Sequence, residues 1–370
     1  MMKIPMLDLS EQYASLKEEV MIALDEVMSS SRFILGSQVE KIEQDIAKYS
    51  HVKHGIGCGN GSDAIHIALQ AAGIGGGDEV ITTPFTFFAT GGAIVRAGAK
   101  PVYIDIDPSN FNLDPSKIEA AITENTKAII PVHLYGQMAD MVKIMEIAKK
   151  HNLIVIEDAA QAIGAKQGSY SVGELGHAAT YSFFPTKNLG AYGDGGMVVT
   201  NYDDIAEKSK IIRVHGSKPK YYHSVMGYNS RLDELQAAVL NVKFPHLDKW
   251  SQERAAHAQL YTTLLNEKVG DAVKTPQVIE GFHHVFHQYT ILTDRRDELQ
   301  AFLNENGVST MIYYPVPLHL QPVFEYLGYK EGDMPESEKA AKNALSLPMF
   351  PELKEEQQQY VVAKIAEFFA

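Results

Sequence analysis

The chain has 370 residues, 45% of them hydrophobic, and carries 33 basic against 46 acidic side chains for a formal net charge of −13. That length can bury one large core and a smaller one, and the negative balance excludes nucleic-acid binding by a global basic field. The single cysteine, Cys58, excludes a disulfide framework and a cysteine-based metal cluster.

Met1-Met-Lys-Ile-Pro5 lacks a secretory apolar stretch and no apolar run reaches bilayer length, so a cytoplasmic protein without membrane contact is expected. Leu16, Val20, Ala23, Leu24 and Val27 recur at helical spacing and predict an amphipathic helix over residues 9–30. A second helix is expected from about Gln38 to Tyr49. Apolar runs near residues 54–58, 79–83, 101–105, 127–133 and 153–157 then read as strands, separated by helical segments such as Ile65–Ala72 and Val142–Lys149. This alternation predicts an α/β fold with a mostly parallel sheet covered by helices on both faces. Runs at 178–184 and 196–200 bring the expected strands to seven. No internal repeat or Gly/Ser linker interrupts the chain. A helix from Arg231, bent near Pro245 and continuing towards Lys268, leads from a large domain (residues 1–247) to a smaller α+β domain (residues 248–370). In the smaller domain, strands are expected at 288–293 and 309–314, and helices at 297–306 and 354–369.

Four stretches carry the chemistry. In Gly57-Cys-Gly-Asn-Gly61-Ser62-Asp63 a strand turns through glycines into an apolar helix, where free N–H groups and a hydroxyl make a phosphate cradle. Thr83-Pro-Phe-Thr-Phe87-Phe88-Ala-Thr90 places aromatic rings after a strand, one of them suited to stack on a flat ring. Ile154-Val-Ile-Glu157-Asp158-Ala-Ala-Gln161 ends a buried strand in an acid, at the edge where open α/β sheets bind ligands. Tyr181-Ser182-Phe-Phe-Pro-Thr-Lys187-Asn-Leu-Gly190 presents one lysine on a turn, with Gly190, Gly193, Gly195 and Gly196 expected to supply unusual φ values. A lysine amine forms Schiff bases with carbonyl cofactors, and pyridoxal phosphate needs an acidic partner for its ring nitrogen.

These segments, with Pro131-Val-His133-Leu-Tyr-Gly136, Gly227-Tyr-Asn229-Ser-Arg231-Leu-Asp-Glu-Leu-Gln236 and Tyr314-Pro-Val-Pro-Leu-His319, occur in the order found in the DegT–StrS family of pyridoxal-phosphate-dependent sugar aminotransferases. The chain resembles that family from Pro5 to Pro348. The resemblance implies the fold-type-I architecture and a role for each matching residue. Lys187 is to hold pyridoxal 5'-phosphate covalently and move the substrate proton. Asp158 is to pair with the ring nitrogen, Gln161 with its phenolic edge and Phe87 with its face. Gly61, Ser62 and Ser182 are to hold the phosphate, and Asn229 is to reach the phosphate in the partner subunit's site, which implies a homodimer with shared active sites.

The remaining polar residues are expected on the substrate. Arg213, His215, Lys218, Lys220 and Tyr221 lie in a locally basic segment suited to a nucleotide diphosphate or an acidic sugar. Arg231 is expected on the same anion or on the carboxylate of the amino donor, and Tyr314 and His319 match the family's sugar-side motif. His283, His284 and His287, flanked by Phe282 and Phe286, read as a strand or its lead-in, with no metal. The resemblance implies transamination from L-glutamate to a UDP- or dTDP-linked keto hexose, 6-deoxy or uronic. The stretch Asn229–Gln236 resembles versions that aminate C3. A C4-aminating or cyclitol aminotransferase is the alternative, and a non-catalytic regulator that binds the cofactor or a nucleotide sugar is the reading from another class.

Overall fold

The alternation of strand and helix builds the expected seven-stranded sheet, in a computed structural model that describes residues 2–370. In chain order the strands are β1 (His54–Cys58), β2 (Glu79–Thr82), β3 (Lys100–Tyr103), β4 (Thr126–Ile130) and β5 (Ile154–Asp158). A short hairpin, β6 (Lys166–Gln167) and β7 (Tyr170–Ser171), precedes the last two, β8 (Ala178–Ser182) and β9 (Gly196–Thr200). Their spatial order is β1-β9-β8-β5-β4-β2-β3, and β9 alone runs against the rest.

Successive residues of the buried strands serve opposite faces, as the pleat requires. Ile129, Val155, Ala179 and Val199 pack with Val39, Ile42, Ile144 and Leu240 on one side. Their neighbours Ala128, Ile156, Ala178 and Val198 pack with Ile65, Leu69, Ile94 and Ile205 on the other. Each fully buried Ile, Leu or Val contributes about 1.5–3 kcal/mol, so both layers of helices are held by the alternation itself. Strand ends that face neither layer are left at the carboxyl edge of the sheet.

The helix expected from Arg231 begins at Glu234 and ends at Lys243; a tight turn over Phe244–His246 joins it to Leu247–Lys268. Pro245 has no N–H to continue the helical ladder, which accounts for the bend. The later start follows from residues before Glu234 taking another partner, since Asp233 forms a bridge to Ile34. The Glu234 carboxylate accepts from the N–H groups of Gly36 (2.8 Å) and Gln38 (2.6 Å), capping the helix Ser37–Tyr49.

The C-terminal core contains Tyr261, Leu265, Leu299, Leu303, Val361 and Ile365 around β11 (Tyr289–Leu292) and β12 (Ala344–Leu347), while β10 (Phe282–His283) pairs with β6 of the large domain. Two expectations are corrected here. Residues 309–314 make only a single bridge, Met311 to Ser346, because the chain then turns so that Tyr313 and Tyr314 line the central cavity. Ile4, 1% exposed, lies in the C-terminal core and forms a parallel bridge to Val308, so this residue, expected with residues 1–247, packs among residues 248–370. No helix among the described residues is long and apolar enough to cross a membrane.

Candidate active site

Seven chain segments meet at the carboxyl edge of the sheet and enclose a cavity of about 680 Å³. The first is the start of the helix Gly61–Ala71. Asn60 caps it, accepting from Asp63 N through its side chain (2.8 Å) and from Ala64 N through its carbonyl (3.0 Å). The Gly61 and Ser62 N–H groups thus remain at the helix end, facing the cavity with Ser182 of β8. A Cβ on Gly61 would stand 2.7 Å from the Ser182 Cβ. The two elements approach so closely that only glycine fits.

Asp158, at the end of β5, is 5% exposed. Burial pushes its carboxyl pKa up, opposed by hydrogen bonds from Thr90 and Ala160 and by the charge of Lys187. The Thr90 hydroxyl donates to Oδ2 (2.7 Å) and in turn lies 3.0 Å from the Thr86 hydroxyl. The Ala160 N–H donates to Oδ1 at 3.2 Å. Both oxygens are oriented before any ligand enters. Thr90 closes the aromatic segment, but the sequence reading does not single it out.

Lys187 sits on the turn between β8 and β9, its N–H bonded to the Phe184 carbonyl (2.9 Å). Burial lowers its ammonium pKa to about 8, with the Asp158 charge pulling the other way. The turn is pinned from below by Lys243, 1% exposed, whose ammonium donates to the Gly190 carbonyl at 2.5 Å. The expected unusual φ values are absent: Gly190, Gly193, Gly195 and Gly196 are not among the glycines with positive φ. Close approach is the reason at Gly190 and Gly196, where a Cβ would lie 2.3 Å from the Pro185 carbonyl oxygen and 2.4 Å from the Asn60 carbonyl.

The other walls are polar side chains held by one another. Gln161 accepts from Tyr135 N (2.7 Å) and donates to the Tyr314 hydroxyl (3.1 Å). Phe87, 56% exposed, lies with its ring centroid 6.0 Å from that of Tyr314. His133 is fully buried; its Nδ1 accepts from Ala139 N, which leaves Nε2–H to donate to Glu157 at 2.9 Å. Glu157 also accepts from the N–H groups of Gly173 and Gly176, so both of its buried oxygens have hydrogen-bond partners. Thr186, His287, Gln288 and Tyr313 complete the wall, and the sequence reading gives none of them a site role.

The three clustered histidines separate. His283 pairs in β10, His284 stacks on Phe286 with centroids 3.9 Å apart, and His287 bonds through Nδ1 to Asn188 (3.2 Å). Burial, then the charges of Lys187 and Arg254, holds His287 well below the usual imidazole pKa, which keeps it neutral.

Several residues expected on substrate lie outside this cavity. Arg213 is buried, donating to Glu43 (2.5 Å) and to the Gly57 carbonyl (2.7 Å), where it ties β1 to its neighbours. His319 is 1% exposed and pairs with Glu338 at 3.1 Å. Arg231 is half-buried, its Nε without a partner. Lys218 pairs with Glu207, and Lys220 lies over the Tyr221 ring at 5.1 Å. His215, Lys218, Lys220, Tyr221 and Asn229 are exposed, and none of them lines their own chain's cavity. A more open depression of about 780 Å³ around Tyr49, Lys166 and His283 shares no residue with the strand-edge site.

Chemistry on a phosphorylated aromatic aldehyde requires an anion cradle, an amine that gives up its proton, and a buried acid for a ring nitrogen. Gly61, Ser62, Lys187 and Asp158 line one cavity and fit these requirements, which are those of a pyridoxal-phosphate transferase. The chain belongs to the DegT/DnrJ/EryC1/StrS aminotransferase family, whose model matches residues 14–366. A "Pleiotropic regulatory protein" of Geobacillus stearothermophilus is 74% identical, over 100% of this chain and 99% of its own length. The UDP-N-acetyl-3-dehydro-alpha-D-glucosamine 3-aminotransferase of Acidithiobacillus ferrooxidans is 47% identical over 98% of this chain and 96% of its own. DesV of S. venezuelae, solved in complex with a ketimine intermediate, superimposes with a TM-score of 0.97 at 40% identity, covering 100% of this chain and 99% of its own. The chain is thus a pyridoxal-phosphate-dependent sugar aminotransferase.

Proposed function

We propose that this enzyme moves an amino group from L-glutamate to C3 of a UDP- or dTDP-linked 3-keto hexose, as a cytoplasmic homodimer. The observation that carries the transfer chemistry is Lys187 opposite the doubly bonded Asp158 in one cavity. Bound pyridoxal phosphate supplies the sink for the electron pair released when a proton leaves the carbon that bears nitrogen.

The chain's own residues do the rest. Gly61 and Ser62 N–H groups and the Ser182 hydroxyl hold the phosphate, and Phe87 covers one face of the ring. Asp158, fixed by Thr90 and Ala160, keeps a proton on the ring nitrogen, and Gln161 with Tyr314 borders the phenolic edge. Lys187 carries the proton from the donor carbon, and later returns one to the acceptor carbon. An ammonium lowered to about 8 suits it for both directions near neutral pH.

The C3 assignment rests on the stretch Asn229–Gln236 and on the 3-aminating relative. The shared site rests on exposed Tyr221, Tyr222, Val225 and Met226 flanking Asn229, a surface suited to a second copy of the chain. In that assembly Asn229, Lys218 and Lys220 serve the neighbouring cavity. The test is product analysis with 3-keto and 4-keto nucleotide sugars plus glutamate, by mass and two-dimensional NMR. Nitrogen on C3 is expected; nitrogen on C4 without a C3 product refutes the position, and no amination of any nucleotide sugar refutes the substrate class.

A further inference from the structure

Beside the cofactor cavity lies a second one, of about 470 Å³. Thr186, His287, Gln288 and Tyr313 line both, so the second chamber opens on the same wall that flanks Lys187. Its far side is built from three separate pieces of chain: Met6, Leu7 and Leu9 from the N-terminal segment, Met311, and Met349. Backbone bonds tie these pieces together. Ser309 N donates to the Ile4 carbonyl (2.9 Å), Met311 N to Ser346 (3.2 Å) and Met349 N to Met6 (3.3 Å).

The far side of the lining is apolar, with Met6, Leu7, Leu9, Met311 and Met349, three of them methionines, which adapt to small irregular groups, while the side shared with the cofactor cavity is polar but uncharged. The one charged side chain is Asp8, whose Oδ1 accepts from the Ser10 N–H (2.8 Å) and hydroxyl (2.6 Å). No lysine or arginine lines the chamber. A carboxylate placed there would meet apolar surface and a like charge, both unfavourable. A methyl group placed against that apolar side would be removed from water at a gain.

We propose that this chamber receives an uncharged, methyl-bearing substituent of the sugar, so that the substrate is a neutral 6-deoxy or acetamido hexose and not a uronic acid. The inference rests on the functional reading above and narrows it. Because the chamber shares Thr186, the chain neighbour of Lys187, with the cofactor cavity, its fit sets how the ring is turned while the diphosphate stays anchored, and hence which substrates reach attack geometry.

The test uses the cofactor-loaded enzyme and a matched set of nucleotide-linked 3-amino hexoses that differ at C6 (methyl, hydroxymethyl, carboxylate), each with and without a 2-acetamido group. The rate of cofactor conversion is followed by absorbance, and affinity by calorimetry. Neutral sugars carrying either methyl-bearing group are expected to exceed both uronates by about tenfold or more in rate over apparent affinity. Comparison of the C6-methyl and acetamido arms identifies which group occupies the chamber. Met311→Arg, at a position 46% exposed and therefore tolerant of the change, is expected to shift the ratio towards the uronate by about tenfold. Equal response to neutral and acidic sugars, or an unchanged ratio in Met311→Arg, overturns the chamber's role while leaving the enzyme a 3-aminotransferase. Conversion by glutamate with no response to any nucleotide sugar overturns both readings.

Discussion

The close approach of Gly61 to Ser182 gives the sharpest test of the phosphate cradle. In Gly61→Ala the new Cβ would stand 2.7 Å from Ser182 Cβ, 3.1 Å from its Oγ and 3.2 Å from its Cα. Carbon pairs settle at about 3.5–4.0 Å, so the helix start and β8 must part by roughly 1 Å. In the apoprotein that adjustment carries with it the Asn60 cap and the bonds that Ser230 and Arg96 make to Asp63. A bound phosphate opposes it, because the Gly61 and Ser62 N–H groups would move off the oxygens they hold. Overpacking of this kind costs about 1–3 kcal/mol, or roughly 5- to 150-fold in the dissociation constant of the cofactor. The assay is titration of apoprotein with pyridoxal phosphate, followed by absorbance, with a thermal melt of each apoprotein as control. Ser182→Gly removes the struck Cβ together with a proposed phosphate donor, so it serves as a second background. Adding Gly61→Ala there should cost much less than in the wild-type background, and the difference is the coupling between the two positions. An equal penalty in both backgrounds, or none in either, refutes the steric account of the cradle.

Attachment of the cofactor to apoprotein requires a neutral Lys187. Since burial lowers that pKa to about 8, the rate should rise as pH climbs from 7 through 8 and then level off, and a flat profile by stopped-flow absorbance would contradict it. Thr90→Val removes the donor to Asp158 Oδ2, while Thr90→Ser keeps it. The valine variant should lose about tenfold or more in kcat and shift the absorbance of the bound cofactor, as expected of a positioning hydroxyl worth one charge-assisted hydrogen bond; the serine variant should stay near wild type. Mixing Lys187→Ala with Asn229→Ala should restore activity after verified subunit exchange, because one of the two shared sites is then free of both lesions. No recovery would show that Asn229 serves its own chain.

Much of this protein is local in its sequence. Alternating apolar runs specify the seven strands, because a pleated strand buried between two helical layers must be apolar on both faces, as Ile129 and Ala128 are. Lys187, Asp158 and the Gly61–Ser62 turn are likewise local features, each at a strand end or helix start, so their order in the chain already marks a cofactor site. What the sequence could not supply depends on residues distant in the chain. Arg213 reads as a free cation in a basic loop until Glu43, 170 positions earlier, is folded against it. His319 reads as a sugar ligand until Glu338 takes its Nε2. The glycines after Lys187 read as suppliers of unusual φ values, yet Gly190 and Gly196 are required by the carbonyls that press on them. Thr90 gains its partner, and the second chamber its walls, only when segments such as Met6–Leu9, Met311 and Met349 are brought together. Periodicity records which face of an element is buried, but not which distant side chain meets it, and in this enzyme those meetings determine which polar residues remain free for substrate.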